Sequence, residues 1–136
     1  MDENKTYTNE HVYFVNQLYR DFLLPTILGD DNAAILYWAG KRVSRHYDLS
    51  SFEDVNSFFI TAEFGELTKI KERRGSIILE LSGQNVSDRL SSDSQEFSLE
   101  AGIIAEAIQR EKKQTTECDA KILAKEQKVQ FTASFD

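Results

Sequence analysis

Few residues of this 136-residue chain have the type and spacing that chemistry requires. His11 and His46 lie far apart and lack the i, i+4 spacing that sets two imidazoles on one helix face around a metal ion. Cys118 is the single cysteine, so it closes no internal disulfide and builds no multi-cysteine zinc site. Phosphate-cradling loops of the Gly-x-x-x-x-Gly-Lys or Gly-x-Gly-x-x-Gly kind are absent from the sequence, as is the Gly-x-Ser-x-Gly elbow of serine hydrolases. No nucleophile, base and orienting group can be nominated together, which predicts a protein that is not an enzyme, with no catalytic residue, no metal and no cofactor.

Recognition chemistry is better supplied. Tyr37, Trp38, Lys41, Arg89 and Glu100 are the candidate ligand- or partner-binding residues. Tyr37 and Trp38 can line a pocket, since each gives area and one hydrogen-bonding atom, although aromatic residues at helical spacing pack first against other helices. Arg89 can bind an anion or pair with Glu100, and the ion pair is the preferred reading. Glu100 reads first as a charge suited to a helix N-terminus and second as a carboxylate offered to a cavity or partner, while Glu106 reads as solvated. Lys69, Lys71, Arg73 and Arg74 crowd one strand-like segment, where charge guards an edge against pairing or receives an acidic partner. His46, beside Arg45 and Tyr47, suits the exposed C-terminal end of a helix, and Cys118 a small buried hydrophobe.

The elements that must hold these residues follow from periodicity. Val12, Val15, Leu18, Tyr19, Phe22 and Leu23 give an amphipathic helix over 9–24, ended by Pro25. Gly29, Asp30, Asp31 and Asn32 then start a second helix over about 32–47, striped by Leu36, Gly40, Val43 and Tyr47 and widened by Ile35, Trp38 and Ala39. Gly40 inside that stripe costs ~1 kcal/mol of helix propensity, for which a close backbone contact is the natural reason. Ser51 and Asp54 cap a third helix with Phe52, Val55, Phe58 and Phe59 on its apolar face. Residues 65–74 and 76–82 form a hairpin joined at Gly75, with Ile77, Leu79 and Leu81 alternating. A short helix over 84–91, a polar loop at Ser91–Ser94 and a helix over 97–112 with Leu99, Ile103 and Ala107 on one stripe come next. A second hairpin alternates Cys118, Ala120, Ile122 and Ala124 against Val129, Phe131, Ala133 and Phe135.

This order, ααα-ββ-αα-ββ, predicts an α+β protein with an antiparallel sheet of about four strands packed on one side by helices. The length suits a single domain over 1–136, with 1–8 expected to be flexible. Sixteen basic against 23 acidic residues give a net charge of −7, the wrong sign for unaided attraction to nucleic-acid phosphate or anionic lipid. No window approaches the ~20 apolar residues of a membrane span, and the polar start lacks a signal peptide, so a cytoplasmic location is expected.

Four local strings carry a family resemblance: Leu36-Tyr37-Trp38-Ala39-Gly40-Lys41, Phe64-Gly65-Glu66-Leu67, Leu79-Glu80-Leu81-Ser82-Gly83 and Phe97-Ser98-Leu99-Glu100-Ala101-Gly102-Ile103-Ile104-Ala105-Glu106. With the ending Val129 to Asp136 they resemble the YslB-like family of small uncharacterised proteins from Gram-positive bacteria, over most of the chain from about residue 9. That family is similar, more distantly, to the superfamily of ligand-binding domains in nitric-oxide signalling and Golgi transport, which includes transport-particle subunits and the 4-vinyl-reductase domain. The resemblance implies a helix-flanked antiparallel sheet, often dimerised through its helices. It brings no haem, since the axial His and Tyr-x-Ser-x-Arg clamp of the gas sensors are missing. It brings neither an acylated cysteine near the early helices, because Cys118 falls in a late strand, nor a zinc cluster, because one cysteine cannot make one. The functional expectation is a non-enzymatic cytosolic binding module, a homodimer that mediates protein–protein interaction; the alternative is a sensor or carrier of a small apolar ligand or lipid in a cavity under the helices.

Overall fold

The structure is a computed structural model that describes residues 10–136; the segment 1–8 expected to be flexible lies outside the described residues. The elements are α1 (10–28), α2 (Asn32–His46), α3 (Phe52–Thr61), β1 (Glu66–Arg73), β2 (Ser76–Ser82), α4 (Gln84–Ser91), α5 (Ser98–Lys112), β3 (Thr116–Leu123) and β4 (Lys128–Phe135). The expected α+β class and order ααα-ββ-αα-ββ are therefore observed.

Alternation places the sheet. Ile77, Leu79 and Leu81 of β2 are buried between half-buried neighbours, and Val129, Phe131 and Ala133 of β4 are buried between half-buried or exposed ones. β2 and β4 pair antiparallel with Ile77 opposite Ala133, Leu79 opposite Phe131 and Leu81 opposite Val129, so buried side chains meet across the strands. β1 and β3 flank them in the order β1-β2-β4-β3. The basic segment expected to guard an edge lies on edge strand β1, where a bulge between Lys69 and Lys71 also breaks the register and turns out Ile70.

Helix α5 lies against the sheet on one side and against α2 on the other, and every residue from Glu100 to Ile108 is buried. A helix enclosed all round has no polar face, which is why its stripe of Leu99, Ile103 and Ala107 is continued by Ala101, Ile104 and Ala105. Two glycines set the α2–α5 distance. A Cβ on Gly40 would collide with the Leu99 carbonyl oxygen and stand 2.9 Å from the Ile103 nitrogen; one on Gly102 would collide with the Tyr37 carbonyl. The close contact expected at Gly40 is thus present, and Gly102 is its unforeseen counterpart.

Three helical expectations are corrected. The buried row of α2 is Leu36, Gly40 and Ser44, so Trp38, about 200° round from Leu36, points outward, as does Tyr47 beyond the helix end. Pro25 does not end α1. A π-helical stretch at Gln17–Leu23, where the Leu24 N–H reaches the Tyr19 carbonyl, restarts the α-helix as Leu24–Leu28, and Pro25 falls in this first turn, where a missing N–H is tolerated. The Thr26 hydroxyl meanwhile donates to the Phe22 carbonyl at 2.6 Å. Finally, only part of the expected apolar face of α1 turns inward: Val12, Val15 and Leu23 are half-buried and Arg20 is buried, whereas Leu18, Tyr19 and Phe22 are exposed.

α3 begins as expected, with the Ser51 hydroxyl accepting from the Asp54 N–H at 3.1 Å. Val55 and Phe59 bury its inner face, and Phe58 and Phe59 meet Phe64 edge-on.

Candidate functional site

The first turn of α5 carries Glu100 into a space walled by α1, α4 and the loop after α4. Arg20 of α1 grips its carboxylate with both terminal nitrogens, Nη2 to Oε1 at 2.8 Å and Nη1 to Oε2 at 3.2 Å, and Arg89 of α4 adds Nη1 to Oε2 at 3.3 Å. Arg20 also donates to the Glu96 carbonyl at 3.1 Å and Arg89 to the Ser94 hydroxyl at 3.1 Å, while that hydroxyl donates to Asp21 at 2.7 Å. All three charged side chains are at least nine-tenths buried.

Burial pushes the Glu100 carboxyl up, but the two guanidiniums outweigh it and hold the group below the ordinary carboxylate range. Arg89 is lowered by burial and by its neighbour Arg20 in spite of Glu100. Both oxygens of Glu100 are committed, so the carboxylate has no free position from which to act as a base on a substrate. The Arg20 and Arg89 Nε atoms are the ones left without a partner. The arrangement is a clamp joining three helices. The expected Arg89–Glu100 pair is present; Arg20, its stronger arm, carried no sequence signal except that Tyr13, Asn16 and Gln17, one or two turns before it, are also polar.

A second polar group lies between α2 and β3. The Tyr37 hydroxyl donates to Glu117 and accepts from the Cys118 N–H at 3.0 Å, and Lys41 reaches Glu117 at 3.0 Å with its ammonium 4.8 Å from the Tyr37 ring centre. Partial burial and this acceptor raise the Tyr37 phenol, while the Tyr37 and Lys41 donors lower Glu117. Cys118 is buried and its thiol pushed up by desolvation, in keeping with the expected inert hydrophobe.

The five candidate residues are therefore not brought to one point. Arg89 and Glu100 meet in the clamp, Tyr37 and Lys41 meet at β3, and Trp38 faces solvent with the Arg42 guanidinium 5.5 Å from its ring centre. Glu106, expected to be solvated, is buried instead; Arg45 donates from Nη2 to its Oε1 at 3.3 Å and holds Nε 3.1 Å from its Oε2 as an ion pair. His46, next to Arg45, lies at this end of α5, and the six helical steps from Glu100 to Glu106 span roughly 9 Å. His46, Arg89 and Glu100 thus share no reaction centre. Among the described residues no group of His, Cys, Asp and Glu could hold a metal ion, and no helix is long and apolar enough to cross a membrane.

What the helices do present is apolar surface. Phe14, Leu18 and Phe22 follow one another at four-residue spacing along the outside of α1, Phe14 and Phe22 being 60% and 62% exposed, with Ile27, Ile35 and Trp38 also turned outward. On the inner side of α1 a slot of about 360 Å³ is lined by Val12, Val15, Tyr19, Arg20, Phe64 and Leu99, among others.

Comparison with known proteins agrees with this architecture. Residues 13–134 match the family described as "Protein of unknown function (DUF2507)". The chain is 36% identical over 124 residues to "Uncharacterized protein YslB" of Bacillus subtilis (strain 168), covering 90% of this chain and 84% of that protein. Among solved structures it is similar to a vinyl-4-reductase family protein from Methanocaldococcus jannaschii, with a TM-score of 0.58 and 19% identity over 74% of this chain and 68% of the other. At that identity the likeness is one of fold.

Proposed function

The chain belongs to the DUF2507 family, and on that footing we propose that it is a non-enzymatic cytosolic binding module that pairs with a second copy through the outer faces of α1 and α2 and engages protein partners. The supporting observation is the exposed row Phe14, Leu18 and Phe22 on α1, with Ile27, Ile35 and Trp38 also exposed on α1 and α2. Large apolar side chains gathered on one surface of a folded chain mark an interaction site, and an aromatic-rich patch is the usual energetic centre of one. In a two-fold dimer each such residue is buried twice.

Light scattering tests the pairing. Wild-type protein should have twice the monomer mass at tens of micromolar, and Phe22→Asp should give monomer with an unchanged far-ultraviolet circular dichroism spectrum. A wild-type monomer at that concentration overturns the dimer. The slot beneath α1 favours a second reading, a carrier of a small apolar ligand, because its volume suits one and Val12, Val15, Ala62, Phe64 and Leu99 give it apolar walls. Native mass spectrometry of protein purified from its own host decides that reading: a stoichiometric hydrophobic adduct supports it, and clean apo protein removes it.

A further inference from the structure

Helix α1 is tied to the rest of the chain at few points. Among residues 10–28 only Arg20 is buried, and the slot lined by Val12 and Val15 of α1 and by Phe64 and Leu99 leaves the apolar contact beneath it incomplete. Every hydrogen bond that leaves α1 among the described residues is made by one of two adjacent side chains. Arg20 donates to Glu100 and to the Glu96 carbonyl, and Asp21 accepts from the Ser94 hydroxyl. Both stand in the π-helical stretch Gln17–Leu23, and π-turns inside α-helices recur at functional sites. The far side of these bonds is held without them: Arg89 keeps the Glu100 carboxylate at 3.3 Å, the Ser94 hydroxyl at 3.1 Å and the Glu96 carbonyl. At its C-terminal end α1 meets α2 through the single turn Gly29–Asp31, where Gly29 has φ +61° and ψ −140° and a Cβ on it would meet nothing within 4 Å.

We propose that α1 is a latched arm: residues 10–28 swing off the body as one unit about Gly29, with Arg20 and Asp21 as the latch, and uncover an apolar seat of Phe64 and Leu99 beside Glu100. An element with one buried residue and a single cluster of ties has little to hold it, and such elements open below the free energy of global unfolding. Opening leaves no carboxylate unpaired in the dry interior. Arg89 stays on Glu100 while Arg20 passes into water, so the large cost of an orphaned buried ion is avoided. A glycine at positive φ is the backbone position most able to absorb the turn. The released arm shows Val12, Val15 and Leu23 as well as Phe14, Leu18 and Phe22, which makes it apolar on both sides; the latch thus sets how much adhesive surface the chain displays.

Native-state amide hydrogen exchange tests the arm, measured in Phe22→Asp so that the result does not hang on pairing between copies. The amides between 14 and 28 should share one opening, at least about 10-fold more frequent than that of α5, in place of the graded exchange of a helix fraying from its end. Arg20→Ala should raise their exchange about 10-fold or more, and Asp21→Asn about 2- to 10-fold. Ile77→Val thins the sheet core without touching α1; it should raise exchange in α5 about 2- to 10-fold and leave 14–28 as it is. If Ile77→Val raises both alike, α1 leaves only when the whole chain unfolds and the proposal is overturned. Exchange of 14–28 that does not respond to Arg20→Ala overturns the latch, and exchange graded from residue 10 inward overturns the single unit.

Discussion

Helices α1 and α5 invert each other. α5 buries nine consecutive residues, two of them glutamates, whereas α1 buries an arginine and turns Phe14 and Phe22 to solvent. Both inversions trace to one contact, since the carboxylate that α5 carries inward is the group to which α1 turns Arg20. The orientation of a peripheral helix is thus set by charge pairing in a dry site, where an unpaired ion costs more than several exposed aromatic side chains. What remains outside is then available for association.

The contrast breaks most severely at Glu100. Glu100→Ala leaves two buried guanidiniums facing each other and should cost about 3–5 kcal/mol in urea unfolding, with α1 and α4 both loosened. Acid should act in the same direction. Because the folded carboxyl titrates below its ordinary value, the stability it contributes is fully present above the unfolded pKa and declines as pH falls through the folded one. Acid unfolding followed by far-ultraviolet circular dichroism should therefore lose part of its steepness in Glu100→Gln.

Smaller effects sharpen the same comparison. Gly102→Ala gains helix propensity of ~1 kcal/mol but forces α2 off α5, and the net loss should be about 1–3 kcal/mol, read as a lower melting temperature. Arg20→Ala should cost about 1–3 kcal/mol, less than the loss of Glu100, because Arg89 still holds the carboxylate. If Arg20→Ala proves as damaging as Glu100→Ala, the clamp has one arm and not two. Least of all should Phe22→Asp disturb folding, by within about 0.5 kcal/mol, since the side chain it removes is exposed.

Sequence patterns reached those features whose causes are local. Alternation at Ile77, Leu79 and Leu81 and at Val129, Phe131 and Ala133 located both hairpins, and the anomalous Gly40 announced a close helix contact before any partner was known. Arg89 and Glu100 stand eleven positions apart, near enough in the chain to be paired by charge alone. Arg20 was beyond reach, because its burial depends on a carboxylate 80 positions away and no apolar residue of its own helix marks an arginine for burial. Glu106 failed for the same reason: its helix is wrapped by a sheet and by α2, and no periodicity within α5 reports an enclosure supplied by other elements. Trp38 was misplaced because the Gly40–Gly102 contact centres the buried row of α2 on Leu36, Gly40 and Ser44, from which Trp38 is turned away.

The unequal arms of the clamp also bear on the order in which the chain assembles. Closing a loop of 80 residues costs about 1.8 kcal/mol more chain entropy than closing one of eleven, so Arg89 meets Glu100 early and α1 docks late. Stopped-flow kinetics of Arg20→Ala should accordingly show a faster unfolding limb and an unchanged refolding limb, the mark of a contact made after the rate-limiting barrier.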